Sequence, residues 1–507
     1  MKKKIILPIA VFIAGLCSIV YELLISTTAT YFLGDGVRQF SLIIGVYLFS
    51  MGIGAYLSKF IKDRSLLFFI IVEYILGFIG GISVPLLYFL FIQVDPLTLQ
   101  ILVLSTIFVI GLLTGMEVPL LTFSFNSVDF KNDLSNVLSL DYIGGLIATL
   151  IFPFLLLPFV GLFYSSVIFG MVNLILGIVL NLVYFKKEIK SLVLGSIALI
   201  SLLCLVIYGG TLLHIWDQKI YKQPIVEMVQ TPYQKIVLTK KQNDIRLYLN
   251  RVIQFSSADE HRYHESLVHI PFSLHPNPQR ILILGGGENL ASREALKNPS
   301  VLQIDVVDID STMFHLAKTN RFLKEINQDA ASNPKVNLIS QDAFTFLFAN
   351  EDKYDVIISD LPDPTTEAIA RLYSKQFFLM AKRNLTKKGV FVTQSGEIYF
   401  SNTVFSCIKN TLNEVFNDVK PYHTYIPSFG DWGFIVAKNS DFSPSDLHSL
   451  PTELTYLDNE QARQSFKLPK DITIAKTKIN TLDHPVILDY FIEDWSKWKS
   501  DFLTNTK

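Results

Sequence analysis

Before residue 214 the chain is a succession of apolar runs, near 5–28, 40–60, 66–91, 99–121, 137–160, 163–185 and 191–213. A bilayer's hydrocarbon core is about 30 Å thick and takes roughly 20 apolar residues in a helix to cross. Runs of this length repeated about seven times predict a multi-span α-helical membrane domain over 1–213 with the lipid bilayer as its partner. Lys2, Lys3 and Lys4 stand ahead of the first run as in a signal peptide, but the run is longer than a signal peptide's apolar region and more runs follow, so it is expected to be retained. Basic residues gather at Lys2–Lys4, at Lys59, Lys62 and Arg64, and at Lys186, Lys187 and Lys190. The positive-inside rule assigns these segments to the cytoplasmic side of the cell membrane.

Glu22, Glu73, Glu117 and Asp141 fall inside the apolar runs. Acids at membrane depth face a bundle interior or a watery cavity, so they suggest either a polar pathway or a helix-packing network. A formal net charge of −1 over 507 residues gives no concentrated positive field, and nucleic acid is excluded as a partner. Cys17, Cys204 and Cys407 are too far apart in sequence to suggest a disulfide framework or a cysteine metal site.

Past Leu213 charged residues become common. Lys235-Ile-Val-Leu-Thr239 and Ile245-Arg-Leu-Tyr-Leu249 alternate apolar and polar residues, which predicts β-hairpins and a small β-domain over 214–275. From Arg280 the pattern changes to buried strands at Ile281–Leu284, Gln303–Val307, Val336–Ile339 and Tyr354–Ser359, with helices expected at Ser292–Lys297 and Ser311–Arg321. Strand and helix alternating in this way predict an α/β domain with a parallel sheet over 276–449. The polar stretch 450–507 reads as a tail packing on that domain.

The first of these strands runs into Gly285-Gly286-Gly287-Glu288-Asn289-Leu290 and then a helix. Glycines there let a ligand approach the backbone, and the helix start offers free N–H groups. A dinucleotide fingerprint would have a third glycine where Leu290 stands, which disfavours a nicotinamide cofactor. The second strand ends in Asp308, placed to accept both hydroxyls of a ribose, so the pair indicates a nucleoside without a pyrophosphate. Gln341-Asp342-Ala343 brings another carboxylate to the same edge, in reach of an adenine amino group, and Asp360-Leu-Pro-Asp363-Pro364 brings two more. Open α/β sheets bind ligands at this edge, although Asp and Pro also serve as plain turn formers.

With these residues in place the chain resembles the polyamine aminopropyltransferases, the spermidine synthase family. The resemblance runs from about Gln230 to Lys438 through Thr231-Pro-Tyr-Gln234, Asn250-Arg-Val-Ile-Gln254, Asp259-Glu260, Tyr263-His264-Glu265, the glycine turn, Val306-Val-Asp308-Ile-Asp310, Gln341-Asp342-Ala343, Asp360-Leu-Pro-Asp363-Pro364 and Gly430-Asp-Trp-Gly433. Tyr21-Glu22, Gly115-Met-Glu117-Val-Pro119 and Asp141-Tyr-Ile-Gly144 are similar to bacterial members that carry a membrane region ahead of the synthase domain. The resemblance implies a Rossmann-like, methyltransferase-type sheet behind the small β-domain. It also implies transfer of the aminopropyl group of decarboxylated S-adenosylmethionine to putrescine, giving spermidine and methylthioadenosine, with no prosthetic group and no metal.

It further implies that Gln234, Gly285, Gly287, Asp308, Asp342 and Ala343 hold the nucleoside. Glu288 and His264 would contact the amines of donor and acceptor, Asp363 would help hold the diamine, and Asp360 would be the base with Tyr263 beside it. Two departures stand out: the family's turn usually continues with Asp and Gly where this chain has Glu288 and Asn289, and Thr365-Thr-Glu367 replaces a Gly and Pro often found past Asp363. Tyr422, Tyr425 and Trp432 could wall an amine channel or belong to core and rim. A methyltransferase using S-adenosylmethionine and a non-catalytic polyamine transporter or sensor are the alternatives. Glu288 would repel the amino-acid carboxylate of the first, and retention of Tyr263, His264 and Asp360 speaks against the second. Homo-oligomers are expected by likeness to soluble relatives. Seven full crossings from a cytoplasmic N-terminus would put the catalytic half outside, where this donor is not made. The run at 137–160, broken by Pro153 and Pro158, is therefore expected not to cross cleanly, leaving the catalytic half cytoplasmic.

Overall fold

The computed structural model describes residues 2–34, 36–61, 64–124, 130–221 and 223–504; Lys62, used in the charge count, lies outside them, as do the side chains of Lys2–Lys4. The chain divides into two compact units, Met1–Gln223 and Pro224–Lys507.

The first unit consists of α1 (Lys2–Leu33), α2 (Gly36–Ser58), α3 (Ser65–Gln93), α4 (Pro96–Ser124), α5 (Phe130–Ile151), α6 (Gly161–Tyr184) and α7 (Ile189–Tyr221). Among the described residues these form six segments long and apolar enough to cross a membrane. The count is lower than the number of apolar runs because α5 and α6 are joined in one 51-residue segment, Leu134–Tyr184. The join is a wide helical turn over Phe152–Val160, holding Pro153 and Pro158, whose missing N–H groups prevent regular bonding, and Gly161 follows at φ 78. α2 packs along α4, α3 along α6 and α1 along α5. Glycines allow these backbones to meet: a Cβ on Gly115 would stand 2.1 Å from the Met51 carbonyl oxygen, and one on Gly54 2.0 Å from that of Leu112. α7 continues past Leu213 to Tyr221, beyond the point where the apolar run ends.

The second unit opens with four antiparallel strands in sequential order, β1 (Ile225–Gln230), β2 (Lys235–Lys241), β3 (Asp244–Leu249) and β4 (Val252–Ser256), followed by α8 (Glu260–Ser273). The main sheet comprises β5 (Arg280–Gly285), β6 (Gln303–Asp308), β7 (Val336–Ser340), β8 (Tyr354–Asp360), β9 (Leu385–Glu397), β10 (Asp418–Ile426) and β11 (Gly430–Lys438), in the order β10-β11-β9-β8-β5-β6-β7. β7, β6, β5, β8 and β9 are parallel, while β11 and β10 form an antiparallel edge. This is the expected Rossmann-like arrangement. The central strands are buried runs of Ile, Leu and Val, as a sheet covered on both faces requires. α9 (Leu290–Leu296) follows β5 and α10 (Ser311–Thr319) follows β6. The single helix expected over Ser311–Arg321 breaks at Asn320, whose side chain caps a second one over Arg321–Ile326.

The last segment binds the sheet's flanks. Glu265 accepts the backbone N–H groups of Thr455, Tyr456 and Leu457, and Asp494, in the helix Val486–Thr504, accepts from the backbone and hydroxyl of Thr403.

Candidate active site

Register places the acids at one edge. Gly285 pairs with Asp360 across β5 and β8, and Asp308 pairs with Ser340 across β6 and β7, so the carboxyl ends of the three inner strands open side by side. Chain order reverses between β5 and β8, the crevice where open α/β sheets take their ligands.

The glycine turn is fixed by space and by dihedral angle. Gly285 has φ 86 and a Cβ there would fall 2.0 Å from the Asp360 carbonyl oxygen; a Cβ on Gly287 would sit 2.8 Å from Asp308 Oδ2. Gly287 N donates to that oxygen at 3.2 Å, and Asp310 N donates to Asp308 Oδ1 at 2.8 Å. Burial pushes the Asp308 carboxyl up to about 6 against these two bonds. Asn289, where a second glycine was expected from the family pattern, has φ 69. Asparagine is among the residues that tolerate this left-handed region, and its amide donates to the Gly287 carbonyl at 2.8 Å while accepting from Ser292 Oγ. The turn therefore keeps its shape without the glycine.

Tyr263 and His264 come from α8, where positions 260, 263 and 264 share one face. Tyr263 Oη donates to Asp360 Oδ1 at 2.6 Å, short enough for a charge-assisted bond. His264 Nδ1 lies 2.7 Å from Glu260 Oε2, which orients the ring so that Nε2 points at Glu288 Oε1, 3.8 Å away. One ligating atom each from His264, Glu288 and Asp360 lie within 4.8 Å of one another. The two carboxylates can hold an ammonium there, whereas the three atoms can ligate a metal only with the His264 ring neutral.

Burial pushes the Glu288 carboxyl up to about 7, with the Asp360 charge adding to the shift and His264 opposing it. Asp360 is likewise raised by burial and held back by His264 and the Tyr263 hydroxyl. Burial works against a charged His264, but the carboxylates of Glu260, Asp360 and Glu288 overcome it and hold the imidazolium above its usual range. The result is a pair of acids on one cation, with Glu288 changing charge near neutral pH.

Behind this face lies a buried ionic chain absent from the sequence reading. Arg293 bridges both oxygens of Glu260, at 2.8 and 3.0 Å, and also binds Glu294, which takes His269 at 2.9 Å and Lys297 at 2.7 Å. Burial alone would raise both acids, yet His264 with Arg293 holds Glu260, and His269 with Arg293 and Lys297 holds Glu294, at about 2. A second group also went unread: Tyr373 Oη donates toward the carbonyls of Leu361 and Pro362, and Gln394 Nε2 donates to the Leu361 carbonyl at 2.6 Å and to Tyr373 Oη at 2.7 Å. Together they fix the turn that carries Asp363, whose carboxyl burial lifts to about 6. The signal was the polar run Thr393-Gln394-Ser395 following Val390-Phe-Val392 inside a strand that otherwise reads as core.

The remaining expected residues stand further out. Gln234 Nε2 and Thr231 Oγ1 both donate to Asp310 Oδ2, at 3.0 and 2.8 Å, so Gln234 is held at the mouth by an acid two residues past Asp308. Asp342 caps the helix that starts at Ala343, and Arg371 Nη2 binds its other oxygen at 2.7 Å. Trp432 and Phe429 flank the Tyr263 ring, whereas Tyr422 is core, stacked on Phe434 with its hydroxyl on the Ser266 carbonyl, and Tyr425 is exposed.

Residues 260–446 match the spermine/spermidine synthase domain. The chain is 36% identical to the polyamine aminopropyltransferase of Leptospira interrogans over 494 residues, covering 97% of this chain and 99% of that one. It is also 36% identical to polyamine aminopropyltransferase 2 of Ralstonia nicotianae over 502 residues, 97% and 98% of the two chains. The crystal structure of spermidine synthase from Thermotoga maritima superposes with a TM-score of 0.46 at 25% identity, covering 48% of this chain and 85% of that one. The chain belongs to the polyamine aminopropyltransferases. Its reaction is aminopropyl transfer, with decarboxylated S-adenosylmethionine as co-substrate.

Proposed function

We propose that the acceptor is putrescine, that the products are spermidine and methylthioadenosine, and that Asp360 is the base. The observation that carries this reading is the convergence of Asp360, Glu288 and His264 at the carboxyl edge, with Asp308 one strand away. An alkylammonium has a pKa near that of lysine, about 10.4, and must lose a proton before it can attack. Asp360 takes that proton, which frees the nitrogen lone pair, and the amine nitrogen then bonds to the donor's methylene carbon. The carbon–sulfur bond breaks, its electron pair neutralises the sulfonium, and the thioether leaves. Tyr263 holds Asp360 ionised and oriented for this step.

Glu288 and His264 face the amines of donor and acceptor, and Asp363 holds the far ammonium of the diamine. Asp308 takes the ribose, the backbone at Gly285 and Gly287 lies along the nucleoside, and Gln234, Asp342 and Ala343 border it. Glu367 starts a short helix immediately past the acceptor turn, an extra acid well suited to a polycation.

The enzyme is read as a multi-pass protein of the cell membrane with its catalytic unit in the cytoplasm. Six crossings from a cytoplasmic N-terminus, with the interrupted 51-residue segment Leu134–Tyr184 passing once, would return the chain to the side where the donor is made. This topology puts Lys186, Lys187 and Lys190 outside, against the positive-inside rule. Labelling of a Lys187→Cys variant in intact cells by an impermeant thiol reagent is the expected result, and labelling only after lysis would reverse the assignment. Self-association is read from the soluble relatives, and light scattering on the detergent-solubilised chain measures it.

The activity test is product analysis by mass spectrometry, using purified protein, decarboxylated S-adenosylmethionine and a panel of diamines. Spermidine and methylthioadenosine should appear together and be lost in Asp360→Asn. Product with another amine but not putrescine would overturn the acceptor assignment.

A further inference from the structure

Asp310 has no part in the transfer step, yet its buried carboxylate joins two walls of the nucleoside crevice. Its Oδ1 caps α10 by accepting from Thr312 N, and its Oδ2 accepts from Thr231 Oγ1 at 2.8 Å and from Gln234 Nε2 at 3.0 Å. Its backbone N–H donates to Asp308 Oδ1 at 2.8 Å. One residue therefore touches the acid read as the ribose ligand on one side and the β1–β2 turn on the other.

That turn is closed on its own atoms. Thr231 Oγ1 accepts from Tyr233 N and Gln234 N, and Thr231 N donates to the Gln234 carbonyl. Among the described residues, every hydrogen bond of residues 231–234 other than those to Asp310 stays within residues 230–234. Pro232 and Tyr233 are exposed and offer the tip little packing. Asp310 Oδ2 is thus the polar anchor between this tip and the parallel sheet. A carboxylate only accepts, so Gln234 must turn its amide nitrogen to Asp310, and its Oε1 is left free to accept from a ligand.

We propose that Asp310 is a positioning residue for the donor, acting through Gln234, which it holds where the nucleoside bound at Asp308 will meet it. The ordering of a long side chain is then met in folding and not again on binding. The inference rests on the reading of Gln234 as a border of the nucleoside.

The test is the affinity of the purified full chain in detergent for methylthioadenosine, measured by calorimetry, with steady-state transfer kinetics beside it. This thioether is uncharged, so its affinity follows the position of Gln234 and not the loss of a carboxylate's field. Asp310→Ser keeps a capping oxygen and the backbone N–H but lacks Oδ2. The apolar cluster of Ile236, Leu238 and Leu247 with Met313 and Leu316 still holds the β-domain on α10, so Tm should change little. The Kd for methylthioadenosine and the KM for the donor should each rise about tenfold, with kcat little changed. Gln234→Ala should show the same rise, and adding Asp310→Ser to it should cost less than about a further twofold, because the group through which Asp310 acts is gone. An equal cost of Asp310→Ser in both backgrounds, or a loss in kcat alone, would mean a merely structural role and overturn the proposal. Wild-type affinity in Gln234→Ala would overturn it together with the placement of Gln234, whereas a weakened Gln234→Ala beside an unaffected Asp310→Ser would overturn the proposal alone. Should Asp310→Ser fail to fold, Gln234→Glu with Asp310→Asn exchanges donor and acceptor across the same bond. That double variant should bind methylthioadenosine about tenfold more tightly than Gln234→Glu alone, in which two carboxylates face each other, and equal affinities would overturn the proposal.

Discussion

Replacing Tyr263 by Phe tests whether its hydroxyl controls the base. The bond to Asp360 is 2.6 Å long, with Tyr263 buried and Asp360 half-buried. Hydrogen bonds to charged groups contribute about 1.5–3 kcal/mol, or roughly 10- to 150-fold at 1.36 kcal/mol per decade. The phenol donates to the ionised carboxylate, so it holds the Asp360 pKa down against the burial that raises it. Without it that pKa should climb further. The variant should therefore lose roughly 10- to 150-fold in kcat/KM near neutral pH and recover part of the loss as pH rises, because more of the base is then ionised. The ring remains between Phe429, Trp432 and Phe434, so Tm should change little. The assay is methylthioadenosine release across pH 6–9 with the acceptor subsaturating. An acid limb at the wild-type position, or a loss that is equal at every pH, would refute the reasoning.

Glu288→Gln removes a carboxyl held at about 7, which is protonated below that pH and then cannot bind an ammonium. The wild-type kcat/KM should fall as pH drops through 7, and this part of the acid limb should be missing in the variant, as read from pH profiles of both. Arg293→Met removes the guanidinium shared by Glu260 and Glu294, leaving Glu260 with His264 and Glu294 with His269 and Lys297; breaking a buried pair costs up to about 3–5 kcal/mol, and Tm should fall. Because Glu260 and Glu294 are held at about 2, the wild-type contribution of this network is present above the unfolded carboxylate range and lost as pH falls toward 2. The gap in Tm between wild type and Arg293→Met should accordingly narrow in acid, and a gap that stays constant with pH would contradict the charge argument.

Asp308 and Asp360 were legible because they sit one and two residues past a short apolar run. Strand ends are among the clearest marks in an α/β sequence, and Asp308 and Asp360 stand at two of them. The network behind them was not legible. Glu260, Arg293, Glu294 and His269 lie on α8 and α9, where charged residues at helical spacing ordinarily read as a solvated face; only the packing of the two helices shows that all four are buried. Tyr373 and Gln394 were missed for a similar reason, since they meet across more than 20 residues of chain at a turn whose own residues attracted the attention. In the membrane half, hydropathy located the apolar runs but could not show that α5 and α6 join through a wide turn, because lost backbone bonds leave no trace in hydrophobicity.

Asn289 bears on how chains of this kind are found. The turn after Glu288 requires a backbone angle, not a particular residue, and asparagine meets the requirement while tying its own amide to Gly287. A search pattern demanding glycine at that place would pass over this chain, and over any other in which the left-handed position has been refilled by a side chain able to tolerate it.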